Sequence, residues 1–248
     1  MLQPHCGDPV LVVNSVLKKF KKGPIIGPIT FSINSGEVFA LIGPNGAGKT
    51  TTIRMIAGIY RPDSGEVKIC GTERRQGLIA FVPEESAVYP RLTGYEHLLF
   101  YTRLYYSDPR RVQSIVEKAA KISGLGDNLR RKVSEYSKGM KRRLLVALAL
   151  ALETPLLILD EPTSGLDVYS SVEVRKLIVD AARSGRAVLL TSHNMLEVER
   201  IADRVAFISE GKIIDIDKPG NLIEKYGGRD LEEAFVNAVK SWRSKEGP

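Results

Sequence analysis

The sequence Gly43-Pro44-Asn45-Gly46-Ala47-Gly48-Lys49-Thr50 lies between an apolar run and a run with helical character. It fits the pattern G-x-x-x-x-G-K-[ST], and the preceding Val38-Phe39-Ala40-Leu41-Ile42 supplies the buried strand that this pattern requires. Backbone N–H groups of such a loop surround a phosphate, and the N-terminus of the following helix adds a favourable field. Lys49 is placed to reach the β- and γ-phosphates, and the Thr50 hydroxyl is placed to bind Mg²⁺. The stretch therefore predicts a site for a nucleoside triphosphate.

The composition is that of an ordinary globular protein. Of the 248 residues, 43% are hydrophobic and 26% are charged. The net charge of +7 is compatible with nucleic acid, an anionic membrane surface or an anionic ligand, and it does not choose among them. No apolar run approaches the roughly 18–20 residues of a membrane span, and residues 1–9 lack the layout of a secretory signal. We expect the two cysteines, Cys6 and Cys70, to form neither a disulfide framework nor a metal site, as in a reducing cytosol.

Apolar segments along the chain predict strands on both sides of a helical region. Short strands are predicted at residues 10–13, 29–33, 67–70 and 77–82, and later ones at 205–208 and 212–214 form a hairpin. Between the first two lies a basic loop, residues 18–24, that contains Phe20. A phenyl ring on a loop either packs against the protein or offers a platform for an adenine base. Both interpretations of Phe20 stay open from the residues alone.

A helical region separates the early strands from the late ones. Thr93, with Glu96 three residues later, predicts a capping box, and Asp108-Pro109 predicts a second helix start. A third helix is predicted after Ser137. These helices form an insertion within an α/β sheet protein, which indicates one chain with two lobes.

The most uniformly apolar strand ends in two carboxylates. Residues 156–159 run directly into Asp160 and Glu161. A continuous apolar run is typical of a central parallel strand, and ligands of open α/β sheets bind at the carboxyl ends of such strands. Asp160 suits a water-mediated hold on Mg²⁺, and Glu161 suits polarisation of the attacking water. His193 follows the next predicted strand, residues 187–191. A lone histidine after a strand is more often structural than catalytic, but the preceding predicted strand leads to Glu161, so a γ-phosphate contact is also consistent with this position.

Five motifs in order resemble the nucleotide-binding domain of ABC transporters over nearly the whole chain. They are the phosphate loop at residues 43–50, the signature region Tyr136-Ser137-Lys138-Gly139-Met140, the second phosphate motif at 156–161, the turn at 164–167 and His193. The resemblance implies a P-loop NTPase core with a parallel central sheet, a small antiparallel β lobe and an inserted α-helical subdomain. It implies a single ABC ATPase domain over residues 1–248, with the core at about 1–84 and 155–216, the helical subdomain at about 85–154 and a helical tail at about 217–248.

The resemblance also implies roles for individual residues. The family works as a head-to-tail pair, so Ser137 and Gly139 would contact the ATP of a second subunit and Asp167 would contact that subunit. Glu161 would be the catalytic base and His193 would bind the γ-phosphate. The metal ligands would be Thr50, Asp160 and Glu84. ATP would be bound by Phe20, Gly43, Asn45, Gly46, Ala47, Gly48, Lys49, Thr50 and Thr51.

Two positions depart from the family pattern. The signature is usually Leu-Ser-Gly-Gly-Gln, whereas this chain keeps only the serine and the second glycine of that sequence. After Val82-Pro83 the family usually has a glutamine that ligates Mg²⁺, and here the residue is Glu84. A carboxylate also binds Mg²⁺, but it adds negative charge near the γ-phosphate.

The pattern favours the drug, ion and lipid exporter branch, in which the membrane subunit is a separate chain. We therefore expect an ATPase that pairs with a second ATPase subunit, as a homodimer in which both copies are this chain. It would drive a separate permease from the cytoplasmic face of the cell membrane. The alternative is a soluble ABC-type ATPase acting on nucleic acid or cofactor assembly. Nucleic acid is disfavoured because the interval between Lys49 and Asp160 is short and lacks the sustained heptads of a long coiled coil, and because the chain has one ABC domain rather than two. The basic clusters at residues 130–132 and 141–143 are interpreted as solvated faces, or else as contacts with the membrane subunit or acidic lipid.

Overall fold

Two sheets hold the nine strands of residues 6–73, 75–85 and 88–246, the parts of the chain that this computed structural model describes. The strands are β1 Leu11–Lys19, β2 Ile25–Ile33, β3 Val38–Ile42, β4 Ser64–Ile69, β5 Ile79–Val82, β6 Leu156–Asp160, β7 Ala187–Ser192, β8 Arg204–Ser209 and β9 Lys212–Asp217. The predicted α/β class is confirmed.

Eight α-helices complete the described fold, together with two short 3-10 helices at Gly126–Arg130 and Val133–Glu135. The α-helices are α1 Lys49–Ile56, α2 Gly94–Tyr105, α3 Pro109–Ser123, α4 Lys138–Ala151, α5 Val168–Arg183, α6 Met195–Ile201, α7 Pro219–Tyr226 and α8 Leu231–Glu246. The three predicted helix starts are confirmed, because Thr93 forms a capping box for α2, Asp108 caps α3 and Ser137 caps α4. Among the described residues, no helix combines the length and apolar character that a membrane crossing needs.

The six-stranded sheet has the order β5-β6-β7-β3-β8-β9, and all its pairs are parallel except the final β8–β9 hairpin. Every residue of β3, β6 and β7 is buried, as expected for central strands covered on both faces. In the ladder, Ile42 pairs with Ser192, and Asp160 pairs with Thr191. The phosphate loop and the polar residues after β5, β6 and β7 therefore emerge along one edge of the sheet.

The small antiparallel sheet has the order β2-β1-β4 and is larger than the sequence indicated. The predicted basic loop at residues 18–24 is shorter, because β1 extends through Lys19 and β2 begins at Ile25. Asp63 fixes this extension, since its carboxylate accepts hydrogen bonds from the Lys19 backbone N–H (2.6 Å) and from Lys18 Nζ (3.0 Å).

The expectation that the two cysteines do not form a disulfide is wrong for this structure. Cys6 and Cys70 are bonded, although 64 positions separate them in sequence. The register explains their approach, because β1 and β4 are antiparallel neighbours with Leu11 opposite Ile69. The disulfide therefore joins Cys6, which precedes the start of β1, to Cys70, which directly follows the end of β4.

The helices α2, α3 and α4 form a lobe that is continuous with the main sheet. One hydrophobic cluster contains Val116 of α3, Leu144 of α4 and Leu157 of β6. Residues 144–151 of α4 are all buried. Helix α4 is therefore the element that packs the helical lobe onto the sheet, and its N-terminus carries the signature residues.

Candidate nucleotide-binding site

A cleft of about 700 Å³ lies where the parallel strands end. Its size is in the range of small-molecule sites. Eleven of the predicted site residues contribute to its lining, whereas Gly43 and Ala47 of the phosphate loop are buried and do not. The lining residues from the prediction are Phe20, Asn45, Gly46, Gly48, Lys49, Thr50, Thr51, Glu84 and Glu161, and Asp160 and His193 complete the set.

The phosphate loop needs glycine at two positions for different reasons. A Cβ on Gly43 would lie 2.1 Å from the backbone oxygen of Ile208 in β8, so the loop leaves the sheet in close contact with that strand. Gly48 has φ 106° and directly precedes α1. No side chain caps α1, so the N–H groups of its first turn stay available at the cleft. The loop thus offers backbone donors and a helix N-terminus to an anion.

Lys49 supplies the positive charge inside the loop. Its Nζ donates hydrogen bonds to the backbone oxygens of Gly43 (2.6 Å) and Pro44 (3.2 Å). Burial lowers the pKa of Lys49, and the negative charges of Glu161, Asp160 and Glu84 act in the opposite direction. The ammonium therefore lies within electrostatic reach of all three carboxylates.

The two carboxylates at the end of β6 are held by Thr191 of the neighbouring strand. The Thr191 hydroxyl donates to Asp160 Oδ1 at 2.5 Å and accepts from the Glu161 backbone N–H at 3.1 Å. Glu161 has φ 51°, in the left-handed region that a side chain bearing Cβ rarely adopts. Such strained backbone persists only where surrounding contacts determine it.

Glu161 and His193 meet across the edge of the sheet. The His193 Nδ1 lies 2.8 Å from Glu161 Oε2. The Glu161 side chain is buried, whereas His193 is exposed at the rim of the cleft. The structure therefore brings together the two residues that the sequence placed at the ends of adjacent strands.

Phe20 and Glu84 lie on the rim of the same cleft. The Phe20 ring is 38% exposed and touches Tyr60 edge-on, with the ring centroids 6.0 Å apart. An exposed aromatic face next to a phosphate loop is suited to stacking on a base. Glu84 is exposed and lines the cleft with Thr50 and Asp160.

The three residues predicted to act on a second subunit lie outside this cleft. Ser137 is exposed, and its Oγ accepts the Met140 N–H at the start of α4. Asp167 caps α5, and its hydrogen bond from the Ser170 N–H holds the pKa of this carboxyl below its usual value. A Cβ on Gly139 would lie 3.3 Å from the backbone oxygen of Gly165. The signature and the 164–167 turn therefore lie side by side, and neither contributes to the lining of this chain's own cleft.

Arg142 is a site residue that the sequence analysis missed. The prediction that residues 141–143 are a solvated face is wrong for Arg142, which is 2% exposed. Its guanidinium donates to the backbone oxygens of Glu161 (2.6 Å) and Pro83 (2.5 Å). The signal was present, since Leu145, Val146 and Ala149 follow Arg142 at spacings of three, four and seven on one helix face. Residues 130–132 are exposed, in agreement with the prediction.

A second cleft, of about 830 Å³, lies at the opposite ends of the strands and is lined by Cys6, Ser35, Thr154 and Arg186 among others. It contains none of the predicted site residues. The 700 Å³ cleft is the better candidate for the ligand site, because the glycine loop, the buried Lys49 and Glu161 with its left-handed backbone all lie there.

The strand–loop–helix geometry after β3 and the carboxylates at the end of β6, two strands away in the sheet, define a P-loop nucleoside-triphosphatase site. Residues 26–164 match the family described as "ABC transporter". The chain is 35% identical over 246 residues to the linearmycin resistance ATP-binding protein of Bacillus subtilis, covering 94% of this chain and 79% of that protein. It is also 35% identical over 246 residues to the Nod factor export ATP-binding protein I of Rhizobium etli, covering 95% and 76%.

A solved structure described as the ATP binding subunit of an ABC transporter superposes with a TM-score of 0.86 and 28% sequence identity. The superposition covers 93% of this chain and 99% of that one. The chain therefore belongs to the ABC transporter family, as one of its ATP-binding subunits with ATPase activity. The family and the P-loop NTPase fold predicted from the sequence are confirmed.

Proposed function

We propose that this chain binds MgATP in the 700 Å³ cleft, hydrolyses it within a head-to-tail dimer and thereby drives a separate membrane subunit that exports its substrate. The observation that carries the proposal is the convergence of the glycine loop, Lys49 and the Glu161–His193 pair on one cleft.

The triphosphate is held mainly by backbone and by one ammonium. The exposed loop residues Asn45 and Gly46, with Gly48 and Thr51 at the start of α1, present N–H groups to the β- and γ-phosphates. Lys49 neutralises phosphate charge from within the loop. Phe20 stacks on the adenine, and its edge contact with Tyr60 fixes the ring.

The donor set beside the loop fits Mg²⁺. Mg²⁺ is usually held by one or two carboxylates and by substrate phosphates, all of them oxygen ligands. Thr50, Asp160 and Glu84 line the cleft together and offer a hydroxyl and carboxylates. Thr191 engages Asp160 Oδ1, so the other oxygen of that carboxylate remains for the ion or its water. When bound, Mg²⁺ neutralises charge that develops on the phosphates.

Glu161 acts as the general base. Its carboxylate accepts a proton from a water whose oxygen forms a bond to the γ-phosphorus, while the bond from that phosphorus to the ADP oxygen breaks. His193 orients Glu161 through the 2.8 Å contact and donates to the γ-phosphate from the rim. The products are ADP and inorganic phosphate.

The site is completed by a second copy of the chain. Ser137 is exposed at the N-terminus of α4, a 14-residue helix, and neither Ser137 nor Gly139 lines this chain's own cleft. A helix N-terminus attracts anions, so Ser137 and Gly139 contact the γ-phosphate bound by the facing subunit. Asp167, next to the signature, contacts that subunit as well.

The membrane subunit docks on exposed apolar side chains of the helical lobe. Tyr89, Phe100 and Leu104 are exposed, and the Tyr89 and Phe100 rings meet with centroids 5.3 Å apart. Clustered exposed apolar side chains mark interaction sites. The Nod factor relative carries export in its name, which supports export as the direction. The chain then works at the cytoplasmic face of the membrane.

Substitution Glu161→Gln tests the proposal. The variant should bind MgATP, release phosphate at least about 100-fold more slowly than the parent and elute as a dimer when ATP is present. Lys49→Ala is the matched control, because it should lose ATP binding and stay monomeric. Parent-rate phosphate release by Glu161→Gln would remove Glu161 from the role of base. A parent protein that binds DNA or RNA in a salt-sensitive manner at physiological ionic strength would instead favour the nucleic-acid alternative.

A further inference from the structure

The most deeply buried cation of the described catalytic region is the guanidinium of Arg142, in the second turn of α4. All three of its nitrogens donate, and every acceptor is a backbone oxygen at the end of β5 or β6. The acceptors are Pro83 (2.5 Å), Glu84 (3.4 Å), Glu161 (2.6 Å), Pro162 (3.2 Å) and Asp160. One side chain of the signature helix therefore touches both loops that carry the predicted metal and catalytic carboxylates.

The Glu161 peptide unit is held from two sides. Its N–H donates to the hydroxyl (3.1 Å) and backbone oxygen (3.2 Å) of Thr191 in β7, and its backbone oxygen accepts from Arg142. Between these contacts Glu161 has φ 51°. The left-handed conformation aims the side chain at His193, so the contacts that maintain it also set the position of the carboxylate.

We infer that Arg142 is a positioning residue for ATP hydrolysis: it holds the strained Glu161 backbone in place and ties it to the signature helix and to the Glu84 loop. This inference rests on the proposed role of Glu161 as base. It goes beyond that role because Arg142 does not line the cleft, and its hydrogen bonds within the described residues all go to backbone oxygens.

Only arginine has the geometry to hold all these backbone oxygens at once. Its planar guanidinium directs N–H donors at several acceptors, whereas a lysine ammonium is a compact charge on a flexible side chain. Burial lowers the pKa of Arg142 to about 10, and the charges of Asp160, Glu161 and Glu84 oppose this effect, so the guanidinium is positive at neutral pH. Lysine would keep the charge but would not span the acceptors.

The same contacts link two ATP sites. Arg142 lies roughly 7 Å along the helix axis from Ser137, at 1.5 Å per residue. A phosphate that a second copy presents to Ser137 would therefore contact the same helix that carries Arg142.

The test compares Arg142→Lys with the parent in phosphate release at saturating ATP and in equilibrium ATP binding. We expect kcat to fall about 100-fold, as for a small misplacement of a catalytic group, while the Kd for ATP changes by less than about 2-fold. This loss of rate should disappear in the Glu161→Gln variant, which already lacks the carboxylate. In single-turnover measurements, Arg142→Lys should change the residual rate of Glu161→Gln by less than about 2-fold, because both substitutions act through one group.

Two matched controls separate positioning from folding. Arg143→Lys changes the next residue of the same helix, whose guanidinium donates to Ser123 at 3.0 Å within the helical lobe. Arg186→Lys removes another part-buried guanidinium, which donates to the backbone oxygens of Leu150 and Thr154 near the C-terminal end of α4. Both should keep kcat near the parent value below their melting temperatures.

The inference is overturned if Arg142→Lys keeps the parent kcat. It is also overturned if Arg142→Lys lowers the hydrolysis rate of Glu161→Gln by the same factor as it lowers that of the parent. Should Arg142→Lys fail to fold, Arg142→Gln carries the test, because an amide keeps N–H donors but cannot span the acceptors. It should lower kcat while the Kd for ATP stays near the parent value, and a parent kcat would overturn the inference. A parent protein without phosphate release would instead refute the proposed function itself, so the two failures are distinguishable.

Discussion

Substitution of Gly43 by alanine would test how tightly the phosphate loop is built onto the sheet. The added Cβ would lie 2.1 Å from the backbone oxygen of Ile208, well inside ordinary contact. Gly43 is not among the residues with positive φ, so the effect is steric and not conformational. Neither strand yields easily, since β3 and β8 are paired in the ladder up to Ile42 and Phe207.

Relief of this contact requires a displacement of about 1 Å at the start of the loop. Overpacking of this kind costs about 1–3 kcal/mol of unfolding free energy. For a domain of this size each kcal/mol lowers Tm by about 2–4 °C. The displacement also moves the Gly43 carbonyl, which accepts a hydrogen bond from Lys49. It moves the neighbouring backbone N–H groups of the phosphate loop as well. Loss of one or two charge-assisted hydrogen bonds to phosphate would weaken ATP binding by about 10- to 100-fold.

Thermal unfolding and equilibrium ATP binding would measure the two effects. Gly220→Ala in α7 is the matched control, since an added Cβ there meets nothing within 4 Å. This control should unfold at or slightly above the parent temperature, because alanine favours helix over glycine. If Gly43→Ala unfolds at the parent temperature and binds ATP with parent affinity, the proposed contact of the loop with β8 does not matter.

Two further predictions concern single side chains. Glu84→Gln should raise the Mg²⁺ concentration needed for half-maximal MgATP binding by roughly 10-fold, because an amide replaces a carboxylate ligand; an unchanged Mg²⁺ titration would exclude Glu84 as a ligand. His97 is fully buried, neither ring nitrogen has a hydrogen-bond partner among the described residues, and burial lowers its pKa to about 4. The unfolded chain therefore binds the proton first, so stability should be complete above pH ~6.5 and fall by about 3 kcal/mol as the pH drops to ~4. Chemical denaturation at several pH values should show this loss in the parent and not in His97→Phe; a parallel loss in both would assign it to other groups.

Much of the fold could be predicted from the sequence because local patterns and tertiary structure agree. The residues of β3, β6 and β7 are apolar throughout, and burial on both faces explains that pattern. The caps at Thr93, Asp108 and Ser137 are local interactions within a few residues, so their sequence signals are direct. The phosphate loop is readable for the same reason.

What could not be predicted depends on contacts between distant residues. The Cys6–Cys70 bond follows from the register of β1 against β4, and nothing in the spacing of two cysteines reveals a register. The extension of β1 depends on Asp63, which is far from Lys19 in sequence. The left-handed backbone of Glu161 has no sequence signature, since glutamate rarely adopts it and only its neighbours determine it.

The burial of Arg142 has a physical cause in the architecture of the sheet. Parallel strands that end along one edge leave backbone oxygens there without a ladder partner, and buried carbonyl groups need hydrogen-bond donors. Pro83, Asp160, Glu161 and Pro162 are grouped at this edge, where the ligand site requires the strands to stop. A single guanidinium on α4 satisfies all four, and these acceptors in turn offset the cost of burying its charge. The edge that gathers the proposed catalytic side chains therefore also needs a buried hydrogen-bond donor. This explains why Arg142, which looks in sequence like part of a solvated basic cluster, is buried beside the candidate site.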